Sequence, residues 1–532
     1  MSASSSSNSR EQLSRQAGTV GGLTLLSRIA GLIRDMVIAR LVGTQAMADA
    51  FYVAFRIPNL MRRLLAEGAL TMAFVPIYAD YRRQGDLEAR RAVDTIFTAL
   101  VLLLIALVII GIACAPWIVQ MIAYGFTADP HKFALTVSLT RVMFPYLMLV
   151  SLMALMMALL NSWRHFLAPA ASPIVLNIAM ILAAVFATRW FLEPTYGLAV
   201  GVLAGGAAQL AVQLPPLLRR GLLPRFVRTL RHPSLRQLIR IMIPAAYGGA
   251  VYQLNVLVVT LLASFLPTGS VSYLWYADRI TEFPLGIFAV ALATVTLPAL
   301  ADQQSDGAID QFKQTMNFSL RIAMAEAVPS AAGLVVLATP IVRMLFEAGK
   351  FGPDSVAGTA GALTFFALGI PWVSGVRTIV PAFYAMKDPR TPVRMATIGL
   401  VVNALVAALL MHRLAHQGLA LAMAISAAVH FLLLCTRLRR RLGLLGGRRI
   451  VHSLVRTCVA STIMAVVVGA ASHALRIEAR HGRLAVGACV FACIGLGILV
   501  YVPLMRRWNP EEYAHLTAMF SRRMGRRRHR ES

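Results

Sequence analysis

The run IFTALVLLLIALVIIGIACAPWIVQMIA (96–123) limits what this chain can fold into more than any other stretch. It exceeds the roughly 20 apolar residues needed to cross a bilayer. Comparable runs recur along the whole 532-residue chain, which is 58% hydrophobic and only 14% charged. Mean hydropathy is +0.69. A soluble protein of this length carries about a quarter charged residues. The reading is therefore a polytopic membrane protein. Its spans must be helices, because backbone groups in lipid have to be paired within the segment.

Apolar runs between polar breaks give about fourteen spans. Twelve make up two sets of six, and two more, near 451–475 and 484–505, follow. The expected fold class is all-α. Two parallel six-helix lobes surround a central cavity, with two additional C-terminal helices. The boundaries are a polar tail at 1–16, a first lobe at 17–218 and a basic linker at 219–234. A second lobe at 235–440, the extra pair at 441–507 and a basic tail at 508–532 complete the chain. A repeat supports the two lobes. Pro145 and Asn177 are separated by the same interval as Pro371 and Asn403, and FVPIYAD (Pro76) echoes TLPALAD (Pro298). Repeats with an even number of spans lie parallel about an axis along the membrane normal.

The formal net charge of +28 reflects where the cations sit. YRRQGDLEARR, LRRGLLPRFVRTLRHPSLRQLIR, AMKDPRTPVR and RLRRRLGLLGGRRIVHSLVR alternate with loops that hold few cations, such as GTQAMAD and SFLPTGS. The positive-inside rule places the first set, and both termini, in the cytoplasm. The charge thus expresses topology and attraction to anionic membrane lipids, not nucleic-acid binding. The five cysteines read as small buried hydrophobes with no metal-type spacing. No Walker loop, zinc motif or nucleophile–base pair stands out, so no catalytic residues, metal or cofactor are expected.

Charge within the spans is costly and marks function. In SRIAGLIRDMVIAR (27–40), Ser27 and Arg34 share one helix face, and Arg28 and Asp35 share another. Two readings stand side by side. Either both arginines reach a cavity, because it is broad or because Gly31 bends the helix, or Arg28–Asp35 is a structural pair and Arg34 snorkels. Arg40 lies near the span end and reads as interfacial. In the second span Pro58 implies a kink or break. Asn59, Arg62 and Arg63 follow it, and an Arg63–Glu67 pair would leave Arg62 to a cavity. Asp49 opens that span. Asp278, Arg279 and Glu282 sit at helical spacing before Pro284. Arg141, Arg321, Glu326 and Arg377 are further charges within the spans, and the matching placement of Arg141 and Arg377 relative to Pro145 and Pro371 suggests a second cationic layer in the cavity. A cavity rich in arginine suits an anion, phosphate above all. An exporter of cationic drugs would place carboxylates there instead.

SRIAGLIRDMVIARLVG (27–43), ADAFYVAFRIPNLMRRLLAEGALTMAFVPIYADY (48–81), GSVSYLWYADRITEFPLGIFAVALATVTLPALA (269–301) and PAFYAMKDPRTPVR (381–394) resemble the MurJ (MviN) family of lipid II flippases. That family belongs to the wider superfamily of multidrug, oligosaccharidyl-lipid and polysaccharide exporters. The resemblance implies a bacterial inner-membrane protein that moves lipid II to the outer leaflet for peptidoglycan synthesis. It implies that Arg28, Arg34, Arg62 and Arg279 bind substrate. Ser27, Asp35, Asp49, Asn59, Ser272 and Glu282 then line the cavity or its gate. The extra helices would guide the polyprenyl chain. Family members with a sodium site build it partly on acidic residues of the second lobe. The stretches 235–266, 391–412 and 417–436 contain no Asp or Glu. Membrane potential is therefore the expected energy source. The alternative function is an ion-coupled exporter of small molecules on the same fold. Expected partners are lipid II, membrane lipids and the peptidoglycan synthesis machinery.

Overall fold

The structure is a computed structural model, and it describes residues 2–62, 70–286, 290–477, 482–515 and 517. Apart from an isolated bridge between Ala348 and Phe351, these residues form helices and turns. The chain divides into two compact units: residues 1–271 with 348–351, and residues 272–347 with 352–532.

In the first unit the helices are α1 (Ser2–Val42), α2 (Ala46–Met61), α3 (Thr71–Gln84), α4 (Asp86–Ala113) and α5 (Ala115–Ile122). Next come α6 (Pro130–Met143), α7 (Tyr146–Ser162), α8 (Leu167–Val185), α9 (Pro194–Arg219) and α10 (Pro233–Ser264). The second unit holds most of α11 (Ser270–Pro284), then α12 (Val290–Ser305), α13 (Ile309–Val336), α14 (Ala338–Phe346) and α15 (Pro353–Ala367). It continues with α16 (Ile370–Ala385), α17 (Arg390–Leu442), α18 (Gly447–Ala474) and α19 (Arg483–Trp508). Each span expected from sequence falls on one of these helices, on an adjacent pair or on half of α17. Among the described residues, eight helices are long and apolar enough to cross a membrane, or nine if the α15–α16 pair, bent by 44°, counts as one. The first unit takes in α10, which packs on α3, α4 and α5, so its boundary lies one helix beyond the linker at 219–234.

Local chemistry explains the breaks. Asp129 caps α6, its carboxylate accepting the His131 and Lys132 amides, with Pro130 at the first helical position. α17 turns back on itself at Ala415, where the backbone is non-helical (φ 47°). Gly418 makes this reversal feasible, since a Cβ there would stand 2.6 Å from the Leu410 carbonyl oxygen. At the end of α1, Gly43 and Gly349 interlock with the segment 348–351, and the Lys350 amide donates to the Arg40 carbonyl at 3.0 Å. Arg40 itself is exposed at the last turn.

The basic linker is pinned to α4. Arg90 donates to the Gly221 carbonyl at 2.8 Å, and Asp94 accepts the Arg225 amide at 2.8 Å. Phe226 packs on Phe97. His165, in the loop between α7 and α8, is held below the ordinary histidine range, first by burial and then by Arg220.

The turn between α16 and α17 is fixed by Asp388. Its carboxylate accepts the Thr391 amide at 3.1 Å and hydroxyl at 2.5 Å, and pairs with Arg441 at 2.7 Å. Burial alone would raise this carboxyl. The Thr391 bonds and Arg441 outweigh burial and hold it below the usual range. A carboxyl lowered on folding stabilises above its unfolded value, and that contribution vanishes as pH falls through the folded value. Asp388→Asn is therefore expected to lower the melting temperature of purified protein at pH 7. The deficit should shrink as pH drops below the carboxylate range, as thermal melts across pH would show.

Candidate functional site

In the first unit, Arg34 and Asp35 are buried on α1, 8% and 2% exposed. Arg34 donates to a single Asp35 oxygen through Nε at 3.0 Å and Nη2 at 2.8 Å. Its Nη1 donates to Asn177 Oδ1 at 3.0 Å, and Asn177 Nδ2 donates to the Ser27 carbonyl at 3.1 Å. The face carrying Ser27, Gly31 and Arg34 thus rests on α8. Asn177 gives one end of its amide to each of the two residues that helical spacing had placed together.

This arrangement corrects the expected Arg28–Asp35 pair. Asp35 engages its neighbour Arg34, not Arg28 seven residues earlier, because a long guanidinium side chain folds back onto an adjacent carboxylate. The helix continues unbroken through Gly31, whose open face instead admits the Asn177 side chain, 3.6 Å from where a Cβ would stand. Arg28 is half-buried and, among the described residues, makes no ion pair or hydrogen bond.

Arg62 follows the last residue of α2, and its Nε donates to Asn59 Oδ1 at 3.0 Å. α2 runs through Pro58 and ends at Met61, so Pro58 does not break the helix. Arg63 and Glu67 lie outside the described residues. Arg56 went unnoticed in the sequence, although a cation inside an apolar run was the available signal. It donates to the Val256 carbonyl at 3.3 Å and to the Thr260 hydroxyl, tying α2 to α10.

Asp49 is 1% exposed. It pairs with Lys132 at 2.9 Å and accepts the Gly269 amide at 2.8 Å. Lys132 also lies 4.1 Å from the Phe126 ring centroid. Sequence spacing could not reveal Lys132 as the partner, because it sits 83 residues away in the first turn of α6.

In the second unit, Ser272 is fully buried. Arg279 stacks on Trp275 at 4.8 Å and donates to Glu282 at 3.0 Å. Arg377 donates to the Leu285 carbonyl just beyond α11 at 3.2 Å. In the first unit the exposed Arg141 does the same for Ile112, near the end of α4, at 3.3 Å. These two arginines share a helix-end role, which accounts for their matching positions beside the repeat prolines. Arg321 is bound to Glu511 at 2.7 Å and Glu512 at 2.6 Å. It anchors the chain after α19 to α13. Glu326 lines a small cavity with Ser330 and Ser374. Among the described residues, no group of three or more His, Cys, Asp or Glu side chains is arranged to hold a metal.

Long apolar helices with buried, partnered cations define a polytopic membrane protein of the transporter type. A solved multidrug resistance MATE family transporter of the MOP superfamily, in an inward-facing conformation, shares the fold. Its TM-score is 0.67 at 12% identity, over 81% of this chain and 99% of that one. Residues 38–485 match the family described as lipid II flippase MurJ. The chain is 41% identical to the lipid II flippase MurJ of Burkholderia cenocepacia, over 80% of this chain and 83% of that protein. It is 40% identical to the probable lipid II flippase MurJ of Rhizobium meliloti, over 79% and 80%. The chain belongs to the lipid II flippase MurJ family. A solved lipid II flippase MurJ in an inward closed conformation has the same fold, with a TM-score of 0.77 at 24% identity over 92% of this chain and 99% of that one. The family match contains Asp49, Arg62, Ser272, Arg279 and Glu282, and begins after Arg28 and Arg34.

Removing one partner of a buried ion pair typically destabilises by about 3–5 kcal/mol, because a charge is left uncompensated. Lys132→Met is expected to destabilise the protein by that order. Adding Asp49→Asn should recover much of the loss while keeping an acceptor for the Gly269 amide. Melting of the single and double variants in detergent tests this, and equal destabilisation in both would contradict it.

Proposed function

We propose that this chain translocates lipid II from the cytoplasmic to the periplasmic leaflet of a bacterial inner membrane, by alternating access. The observation that carries the reading is family membership over residues 38–485, in a chain whose membrane helices bear arginines. Lipid II joins a disaccharide pentapeptide to a polyprenyl chain through an anionic pyrophosphate, and that head cannot cross hydrocarbon alone. Arg28, Arg34 and Arg62 of the first unit and Arg279 of the second are its proposed ligands. Guanidinium forks match phosphate oxygens in pairs and keep their charge at any working pH. Ser27, Asp35, Asn59 and Glu282 hold those arginines in place. Asp49 and Ser272 act at the gate. Arg28 offers the most available guanidinium, whereas Arg34 is already balanced by Asp35 and would bind by exchanging or sharing that partner.

Both termini are placed in the cytoplasm, with the basic loops. Membrane potential supplies the drive. Peptidoglycan synthases on the outer face consume the product, and surrounding membrane lipids solvate the polyprenyl chain. The competing reading is an ion-coupled exporter of small molecules on the same fold, and for cationic drugs it calls for carboxylates where this chain has arginines.

Depletion with complementation tests the assignment. Loss of the chain should leave lipid II in the inner leaflet, and neither Arg34→Ala nor Arg279→Ala should restore its exposure outside. Each lost charge-assisted contact should weaken lipid II binding by about 1.5–3 kcal/mol. Normal outer-leaflet exposure after depletion, in cells without a second flippase, would overturn the function. Full rescue by both variants would overturn the site alone.

A further inference from the structure

Glu326 lies within α13, a helix able to cross the membrane, and is only half-buried. Among the described residues its carboxyl has no hydrogen-bond donor, and no cation stands against it. It faces a small cavity of about 10 Å³ shared with Pro284, Leu285, Ser330, Ile370 and Ser374. The clear space inside suits about one water molecule. Two helix ends meet there, that of α11 at Pro284 and that of α16 just past its bend from α15, and the continuous α13 carries Pro329 next to the lining Ser330.

Tyr501 is near enough to Glu326 to interact with its charge, whereas the charged groups on the surrounding elements named here are paired or stand near helix ends. On α19, the Tyr501 hydroxyl donates to the Ala325 carbonyl at 2.6 Å. On α18, Cys458 is a free thiol. Arg377 of α16 is bound to the Leu285 carbonyl, Arg279 and Glu282 of α11 to each other, and Arg321 of α13 to Glu511 and Glu512. Arg343 of α14 pairs with Glu347. α15 carries Asp354 in its first turn, at the opposite end from the cavity, and α12 carries Asp302 near its C-terminal end. A carboxylate without a cation is poorly solvated in hydrocarbon, whereas the neutral acid is tolerated. Its protonation therefore follows water access. The pocket sits where helix segments join, so movement of α11 or α16 changes that access.

We propose that Glu326 is a proton-binding site of the second unit. The carboxyl is protonated while the cavity is closed to water, and it gives its proton to water when the cavity opens. One proton is taken up and released in each transport cycle. This rests on the lipid II transport reading above.

The test uses the full chain in proteoliposomes containing lipid II, with a pH-sensitive dye inside. An imposed proton gradient is expected to speed wild-type translocation several-fold and to change the luminal pH. Glu326→Gln should move lipid II at a rate indifferent to the gradient, with no luminal pH change. Glu326→Asp should restore gradient dependence and so exclude misfolding as the cause. A gradient response retained in Glu326→Gln would overturn the proposal. So would loss of the wild-type response when sodium is replaced by potassium at a fixed gradient, which would identify a metal cation as the ligand. Infrared difference spectra between low and high pH, without lipid II, give a second readout. A protonated-carboxyl band present in wild type and missing in Glu326→Gln is expected, and its persistence in the variant would count against the site. If the wild type moves no lipid II in any condition, the transport reading fails, whereas the infrared result stands by itself.

Discussion

Hydrocarbon offers no hydrogen bonds, so each polar side chain on a span must find its partner within the protein. The Arg34–Asp35–Asn177–Ser27 arrangement is the clearest case in the first unit. It buries a guanidinium and a carboxylate together, and it uses both ends of one amide to join α8 to two turns of α1. An apolar α1 would have slid on α8 without a preferred register, since lipid is as apolar as leucine and packing alone discriminates weakly. The Asp49–Lys132 pair does the same for α2 and α6, and its third contact, the Gly269 amide, fixes the loop before α11.

Prolines make the complementary demand. Pro329 has no amide hydrogen to offer the Ala325 carbonyl one turn earlier. The Tyr501 hydroxyl takes that place at 2.6 Å, so the defect in α13 becomes the attachment point of α19. Farther along, Glu512 accepts from both Arg321 and Ser453, and Asn509 donates to the Ser453 carbonyl and the Thr457 hydroxyl. The two helices that lie outside the repeat are thus secured to α13 at more than one level. α18 packs closely along α13 over the same stretch, which places polar ties where helix faces already meet.

Hydropathy and proline spacing were enough to read the all-helical fold, the positions of the spans and the reversal inside α17, because each depends on local composition. Pairing was less legible. Arg34 and Asp35 are adjacent, yet face arithmetic set Asp35 against Arg28, since it weighs backbone direction and ignores the reach of a guanidinium. Lys132, Glu511 and Glu512 are distant in sequence from Asp49 and Arg321, and no spacing rule links them. Arg141 and Arg377 each donate to a carbonyl at a helix end, Ile112 and Leu285, a contact that spacing from the repeat prolines does not specify. Arg28 is half-buried on α1 and, among the described residues, makes no ion pair or hydrogen bond, which the spacing to Asp35 did not foretell.

Guanidinium and carboxyl groups differ in one respect that bears on how a cycle could be driven. Arginine holds its proton at any physiological pH, so the guanidiniums at Arg28, Arg34, Arg62 and Arg279 can attract an anion but cannot register a change in water access. A carboxyl can, because its neutral and charged forms differ in how well hydrocarbon tolerates them. Glu326 lies among helix breaks with no described cation to fix its charge. Under the proposed roles, a permanently charged set would meet the cargo and a titratable group would stand beside the joints, so that binding and proton exchange would fall to different residues. Membrane potential then acts on whatever net charge the loaded and empty forms carry, and a proton on Glu326 changes that charge without altering any cargo contact.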